Sequence, residues 1–308
     1  MITYADPMYT PEEQALIRLD IFQWLELKIG EHVTISKADL LSGYYYQGVN
    51  IPLIDNFRGI RNPKQFDETL SVASTLGSKY EDEETPDGTI LYDYQSTSDE
   101  AGNTKLRRAF RNKIPIIYLK EISKSQYLPY IEVYVIADDP VLKKFVLYFP
   151  DADMQLSKEM IPTSRPTTEI EKKYVLAQTR RRVHQPAFRA AVLNAYAERC
   201  AICSLQHISL LDAAHILPDS HELGKPSVSN GLALCKIHHA AYDKRIIGIS
   251  PDYKVRVSDA VLKEVDGPML KHGIQEMNGR EICIPASKPD KPNPDYLDIR
   301  FKEFLASA

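Results

Sequence analysis

From residue 11 to 28, apolar side chains return every three or four positions and place Leu16, Ile17, Ile21, Trp24 and Leu25 on one stripe, the repeat of a helix that buries one face. Thr10-Pro11-Glu12-Glu13 marks its start: a hydroxyl can cap free amides, proline fits the first turn, and acids suit the positive end of the helix dipole. Beyond this helix the period shortens. Thr89–Tyr92, Ile114–Leu119, Ile131–Ile136 and Phe145–Phe149 are short runs rich in β-branched and aromatic residues, separated by polar turns, and they predict a compact curved sheet or small barrel.

The pattern then breaks. Residues 151–178 hold Ile161-Pro162-Thr163-Ser164-Arg165-Pro166 and a charged stretch, a composition that predicts a linker. Helical periodicity resumes over Gln185–Tyr196, and a Pro-, Lys- and Asp-rich stretch at 285–294 predicts a loop before a short final helix. The expected class is α+β: a curved β domain with flanking helices over 1–150, a linker over 151–178, and a second domain over 179–308. Internal repeats and low-complexity segments are absent from the sequence.

At 308 residues with 44% hydrophobic content, the chain can bury a core in each of two domains. No apolar run approaches the roughly 18 residues that a membrane span requires, so no membrane partner is expected. Four cysteines without a secretory leader do not make a disulfide framework, which leads to the expectation of a reducing, cytoplasmic setting.

A net charge of −4 counts against nucleic acid at first sight, because phosphate binding is driven by Lys and Arg. Its distribution changes that reading. Basic residues cluster at 105–113, with Arg107 and Arg108, and at 180–182, with Arg181 and Arg182, while acids gather at Glu81–Glu84. One basic patch per half suits a duplex lying across both domains.

The densest chemistry lies between residues 200 and 243. Cys200-Ala-Ile-Cys203 and Cys235-Lys-Ile-His238 have the two-plus-two spacing of a closed tetrahedral zinc site, whose four ligands leave no position for substrate. A Cys-x-x-Cys alone also suits a redox pair; the second half-site favours structural zinc. Cys283 has no partner spacing and is expected to be a buried thiol. Interleaved with these ligands are His215, Asn230, His239 and Asp243, residue types that activate water and hold a hard divalent cation. His239 and Asp243 are four apart on a predicted helix and can share that cation.

The order His215, Asn230, His239 resembles the HNH nuclease family over roughly residues 179–262. The resemblance implies a ββα-metal fold, in which a two-stranded hairpin and a helix grip one catalytic cation, here Mg2+ or Mn2+. It implies His215 as the general base toward water, Asn230 as the residue that holds the strands and bonds the imidazole, and His239 and Asp243 as cation ligands. Many members carry a His or Asp ligand immediately before the base, where this chain has Ala214. Asp212 lies two residues earlier on the same strand face and could substitute through a water. Lys244 and Arg245 are candidates for phosphate contact. One cation site cuts one strand, so a double-strand break implies a homodimer or two successive nicks.

In the first half, Gly59-Ile60-Arg61, Leu70–Thr75, Tyr80–Glu84, Asp87–Gln95 and Gly102–Ala109 follow one another in an order that resembles the SRA domain, a PUA-related barrel. The match covers about residues 58–150. It implies a pocket for a modified cytosine flipped out of DNA, with Tyr80 and Tyr92 replacing the lost stacking neighbours and Asp82 or Glu83 reading the base edge. Where many members continue Tyr-Thr-Gly, this chain has Tyr92-Asp93-Tyr94, so Asp93 alters the pocket wall. Eighteen tyrosines in the chain also leave room for Tyr92 as ordinary core. Together the resemblances imply a modification-dependent restriction endonuclease acting on double-stranded DNA that carries 5-methyl- or 5-hydroxymethylcytosine. The alternatives are a nuclease whose first domain senses a phosphorothioate or a modified adenine, or one that docks on unmodified nucleic acid or a partner protein.

Overall fold

Thr10 caps the first helix as its sequence predicts. Its hydroxyl accepts from Glu13 N at 3.2 Å while the Glu13 carboxylate accepts from Thr10 N at 2.7 Å, so two amides at the helix start are satisfied reciprocally. This helix, α1 (Pro11–Glu31), buries Ile17, Ile21, Phe22 and Leu25. Leu16, expected on the same stripe, is 58% exposed. At 3.6 residues per turn it sits about 100° from Ile17, on the far side from the other stripe residues.

The computed structural model describes residues 9–76, 82–85, 89–95, 100–150, 161, 183–218 and 221–307. Contacts divide the chain into two units, Met1–Pro186 and Ala187–Ala308. Within the expected linker over 151–178 only Ile161 is described, and Tyr80, Arg181 and Arg182 lie outside the described residues.

The first unit continues through β1 (Ile35–Ser36), α2 (Lys37–Ser42), β2 (Tyr44–Tyr46), β3 (Val49–Ile51), β4 (Ile60–Arg61), β5 (Ser71–Ser74), β6 (Glu83–Glu84), β7 (Ile90–Asp93), α3 (Glu100–Asn112), β8 (Ile116–Ser123), β9 (Gln126–Asp139) and β10 (Lys144–Tyr148). Among the described residues, eight strands form one sheet in the order β4-β5-β8-β9-β10-β7-β6, with β1 added on β9. The β5–β8 pair is parallel and the other pairs are antiparallel. The 14-residue β9 carries β8 along one part and β10 along another, with register irregularities in both pairings. Such irregularities increase local twist, and the sheet curls into a half-barrel. Ile17, Ile21 and Leu25 of α1 share one buried core with Leu53, Phe66 and Leu70 and with Ile117 and Leu119 of β8.

The second unit is built from α4 (Gln185–Ala195), the hairpin β11 (Leu211–His215) and β12 (Gly231–Cys235), α5 (Lys236–Asp243), the hairpin β13 (Ile247–Ile249) and β14 (Val255–Val257), α6 (Asp259–Leu262), α7 (Pro268–Gly273) and α8 (Pro294–Leu305). The β11–β12 register runs from Leu211 opposite Cys235 to His215 opposite Gly231. A strand pair followed directly by α5 gives the expected ββα order. Among the described residues, no helix is long and apolar enough to cross a membrane.

Candidate active site and metal centre

The cysteine-bearing turn is tied to the hairpin by backbone. Ala201 N donates to Ala233 O at 2.7 Å and Cys200 N to Leu205 O at 2.9 Å, which brings Cys200 and Cys203 beside Cys235, the N-cap of α5, and His238 within it. Their four ligand atoms lie within 4.8 Å of one another. Cys203 Sγ is 3.9 Å from Cys235 Sγ, and His238 Nδ1 is 3.2 Å from Cys235 Sγ and 3.5 Å from Cys200 Sγ. Zinc bond lengths and tetrahedral angles require about 3.8 Å between sulfurs and about 3.5 Å from sulfur to nitrogen. The cluster is therefore compatible with zinc.

His238 meets the sulfurs through Nδ1 because its other nitrogen is engaged: Nε2 lies 2.7 Å from Gly273 O at the end of α7. With Nε2–H donated to that carbonyl, the Nδ1 lone pair faces the cluster. Without a metal, burial opposes the imidazolium, but hydrogen bonds and charge from Cys200 and Cys235 outweigh it and push His238 up to about 10. Contacts with Cys203 and Cys235 draw the Cys200 thiol far down, while contacts with Cys200 and Cys235 push Cys203 up, since neighbouring sulfurs cannot all ionise until a cation joins them. Cys283 departs from expectation: it is exposed, with Sγ 3.8 Å from Ser204 Oγ.

His215 stands at the end of β11 with Phe188 of α4 stacked flat on its ring, centroids 4.0 Å apart. The strand partner of His215 has to be small. A Cβ on Gly231 would lie 2.4 Å from Val192 Cγ2 and 3.1 Å from Phe188 Cζ, so a larger residue would force the stacking ring away.

Asn230 is fully buried, and every hydrogen bond it makes to a described residue goes to backbone. Its Oδ1 accepts from Leu217 N at 2.9 Å, and its Nδ2 donates to Leu217 O at 2.9 Å and Lys225 O at 3.0 Å. The amide thus holds the chain where it leaves His215; these bonds do not include the imidazole, to which the family resemblance had assigned one.

His239 and Asp243 share a face of α5, with His239 Nε2 3.4 Å from Asp243 Oδ2. Asp212 reaches the other nitrogen, its Oδ2 being 3.3 Å from His239 Nδ1, and Lys236 Nζ lies 3.1 Å from Asp212 Oδ1. Burial works against this carboxylate, but Lys236 and His239 outweigh it and hold Asp212 below its ordinary range. Among the described residues, the cysteine–histidine cluster is the only tight group of three or more His, Cys, Asp or Glu ligands. Asp212, His239 and Asp243 form a row centred on one imidazole. A nitrogen and carboxylate oxygens suit a hard divalent cation. His215 lies three residues beyond Asp212, about 10 Å along the strand.

Lys244 and Arg245 are exposed just after α5, and Arg245 Nη2 is 3.4 Å from Glu303 Oε2. In the first unit Arg108 is exposed, whereas Arg107 is engaged within the fold. Its Nε sits 3.0 Å from Asp138 Oδ2 and its guanidinium lies over the Tyr94 ring.

The structure separates the two candidate acids of the first unit. Glu83 is exposed and, with Asp93, pairs with Lys144 at 3.2 and 3.0 Å respectively. Asp82 turns inward to accept from Tyr118 Oη. Burial raises the Asp82 carboxyl above its ordinary value despite hydrogen bonds from Tyr118 and Ser74, and its Oδ1 is buried without a partner among the described residues. Tyr92, 6% exposed, donates to Ala73 O at 3.2 Å and is pushed up by burial and by the nearby Asp82 charge. Tyr118 was missed by sequence reading; it lies in the predicted run Ile114–Leu119, where nothing local marks it from core.

Residues 200–250 match the family described as HNH endonuclease. This stretch is an HNH endonuclease domain, and the chain carries a metal-dependent nuclease. Among solved structures, the chain is similar to the modification-dependent TagI restriction endonuclease, with 16% identity, 81% of this chain and 86% of that chain covered, and a TM-score of 0.28. It is also similar to the Type IV phosphorothioation-dependent restriction endonuclease ScoMcrA, with 16% identity, 61% and 48% coverage and a TM-score of 0.20. No curated protein matches the chain.

Proposed function

We propose that the chain is a modification-dependent DNA endonuclease, in which an SRA-like domain over 1–150 receives a flipped 5-methyl- or 5-hydroxymethylcytosine and an HNH domain over 179–308 hydrolyses the strand. The observation that carries the base-reading half is the buried carboxyl of Asp82, with Oδ1 lacking a partner among the described residues. Burying such a group unsatisfied costs about 1–3 kcal/mol, and a base edge that brings an amino donor would remove that cost. Asp82 is therefore the acid assigned to the base edge, with Tyr92 in the wall and Tyr118 holding the carboxyl.

In the nuclease half, His215 takes a proton from the attacking water, its ring plane fixed by Phe188. Asn230 holds the chain on either side of the turn. His239 and Asp243 would hold the catalytic cation, Mg2+ or Mn2+, and Cys200, Cys203, Cys235 and His238 would hold a structural Zn2+. When bound, the catalytic cation supplies positive charge to the phosphate and the leaving oxygen. Arg108 and Lys244 are exposed and would meet backbone phosphates, Arg245 would do so by exchanging its pairing with Glu303, and a homodimer would cut both strands.

The test is cleavage of duplexes of one sequence carrying cytosine, 5-methylcytosine, 5-hydroxymethylcytosine, N6-methyladenine or a phosphorothioate linkage. Cleavage confined to the modified-cytosine duplexes and lost in Asp82→Asn supports the reading. Equal cleavage of unmodified DNA, or dependence on the adenine or sulfur mark, overturns it.

A further inference from the structure

The two nitrogens of His239 face different carboxylates, Nδ1 toward Asp212 Oδ2 at 3.3 Å and Nε2 toward Asp243 Oδ2 at 3.4 Å. The two acids are not equivalent. Asp212 comes from β11, and Lys236 Nζ lies 3.1 Å from its Oδ1 and 3.3 Å from its Oδ2. Both oxygens are thus occupied by groups of α5, one turn apart on the same helix. Asp243 is the more exposed acid, with a side chain 57% accessible against 30% for Asp212.

From this arrangement we infer that Asp212 is a positioning residue of the cation site: its carboxylate accepts the Nδ1 proton of His239 and leaves Nε2, beside Asp243, to meet a hard divalent cation. The physical reason is the tautomer. A neutral imidazole carries one proton, and a carboxylate fixed at one nitrogen keeps that proton there, orients the ring and makes the opposite lone pair the ligand. Lys236 keeps the carboxylate in place by bridging its oxygens. This role replaces the sequence expectation that Asp212 substitutes, through a water, for the ligand absent at Ala214. The inference rests on the HNH reading of His239 and Asp243 as cation ligands.

The test uses the full zinc-loaded chain, with ring-nitrogen NMR of His239 at a pH where the ring is neutral and Mn2+ titration as the second readout. The wild-type ring is expected to be protonated on Nδ1. Asp212→Ala should release that tautomer and weaken Mn2+ binding about 10- to 100-fold, whereas Asp212→Asn keeps an acceptor and restores most of the affinity. An Nε2-protonated ring in the wild type overturns the inference. So does Asp212→Ala binding Mn2+ like the parent, or Asp212→Asn binding as weakly as the alanine variant, which would make Asp212 a direct ligand. DNA cleavage by the wild type separates the two layers: the expected tautomer without cleavage supports the positioning and overturns the nuclease reading, while cleavage with the reversed tautomer does the opposite.

Discussion

Phe188 lies face to face with His215, ring centroids 4.0 Å apart and planes 12° from parallel. The stacking ring comes from α4, ahead of the stretch that matches the nuclease family, so the assigned base is positioned by an element outside the motif. Phe188→Leu keeps part of the apolar bulk and should cost about 1–2 kcal/mol, yet it removes the flat ring that lies on the imidazole. Since misplacement of about 1 Å can cost about 100-fold in rate, single-turnover cleavage should fall at least tenfold while the protein stays folded. Unchanged turnover would show that the stack is only packing.

Removal of the metal from the cysteine–histidine cluster should unfold the second unit, because structural zinc contributes about 10–16 kcal/mol of apparent binding energy at neutral pH. Cys200→Ser should lose zinc on elemental analysis and melt early.

Asn230→Ala removes three hydrogen bonds and leaves the Leu217 amide and carbonyl without their side-chain partner. The expected loss is about 3 kcal/mol, read as a lower urea midpoint with unchanged slope. A variant as stable as the parent would mean that the loop after β11 holds itself.

Asp82 sits where ionisation is disfavoured, so its folded pKa is raised above 3.8. Stability from the protonated form is fully present below 3.8 and is lost as pH rises through the folded value. Asp82→Asn should therefore unfold at higher denaturant than the parent at neutral pH, with the difference vanishing below pH 3.8. Preference for modified cytosine should be lost at the same time, the usual trade of stability against a strained recognition group.

Several of these relationships were legible in the sequence, and the reasons differ from residue to residue. The four zinc-type ligands were visible because tetrahedral coordination needs two close pairs, and α1 was visible because its cap and stripe are local signals. The parallel pairing of β5 with β8 was not, since it joins strands separated by β6, β7 and α3. Asp82 and Glu83 are neighbours, and only the tertiary placement of Lys144 and Tyr118 decides which of them turns inward. Asp212 was legible as an acid near the site, but its bond to His239 depends on how α5 packs on β11. Cys283 was misjudged although the strand-like alternation was present: Ile282 is buried and Cys283 faces outward.

The nuclease chemistry is tested most directly by single-strand nicking of a modified duplex with Mn2+, comparing the wild type with His215→Ala. The expected result is nicking by the wild type that stops with EDTA, and a variant that folds, binds the same DNA and cuts at least about 100-fold more slowly, the usual weight of a general base. A folded His215→Ala variant that nicks at the wild-type rate would contradict the assignment of the water-activating imidazole and the mechanism built on it.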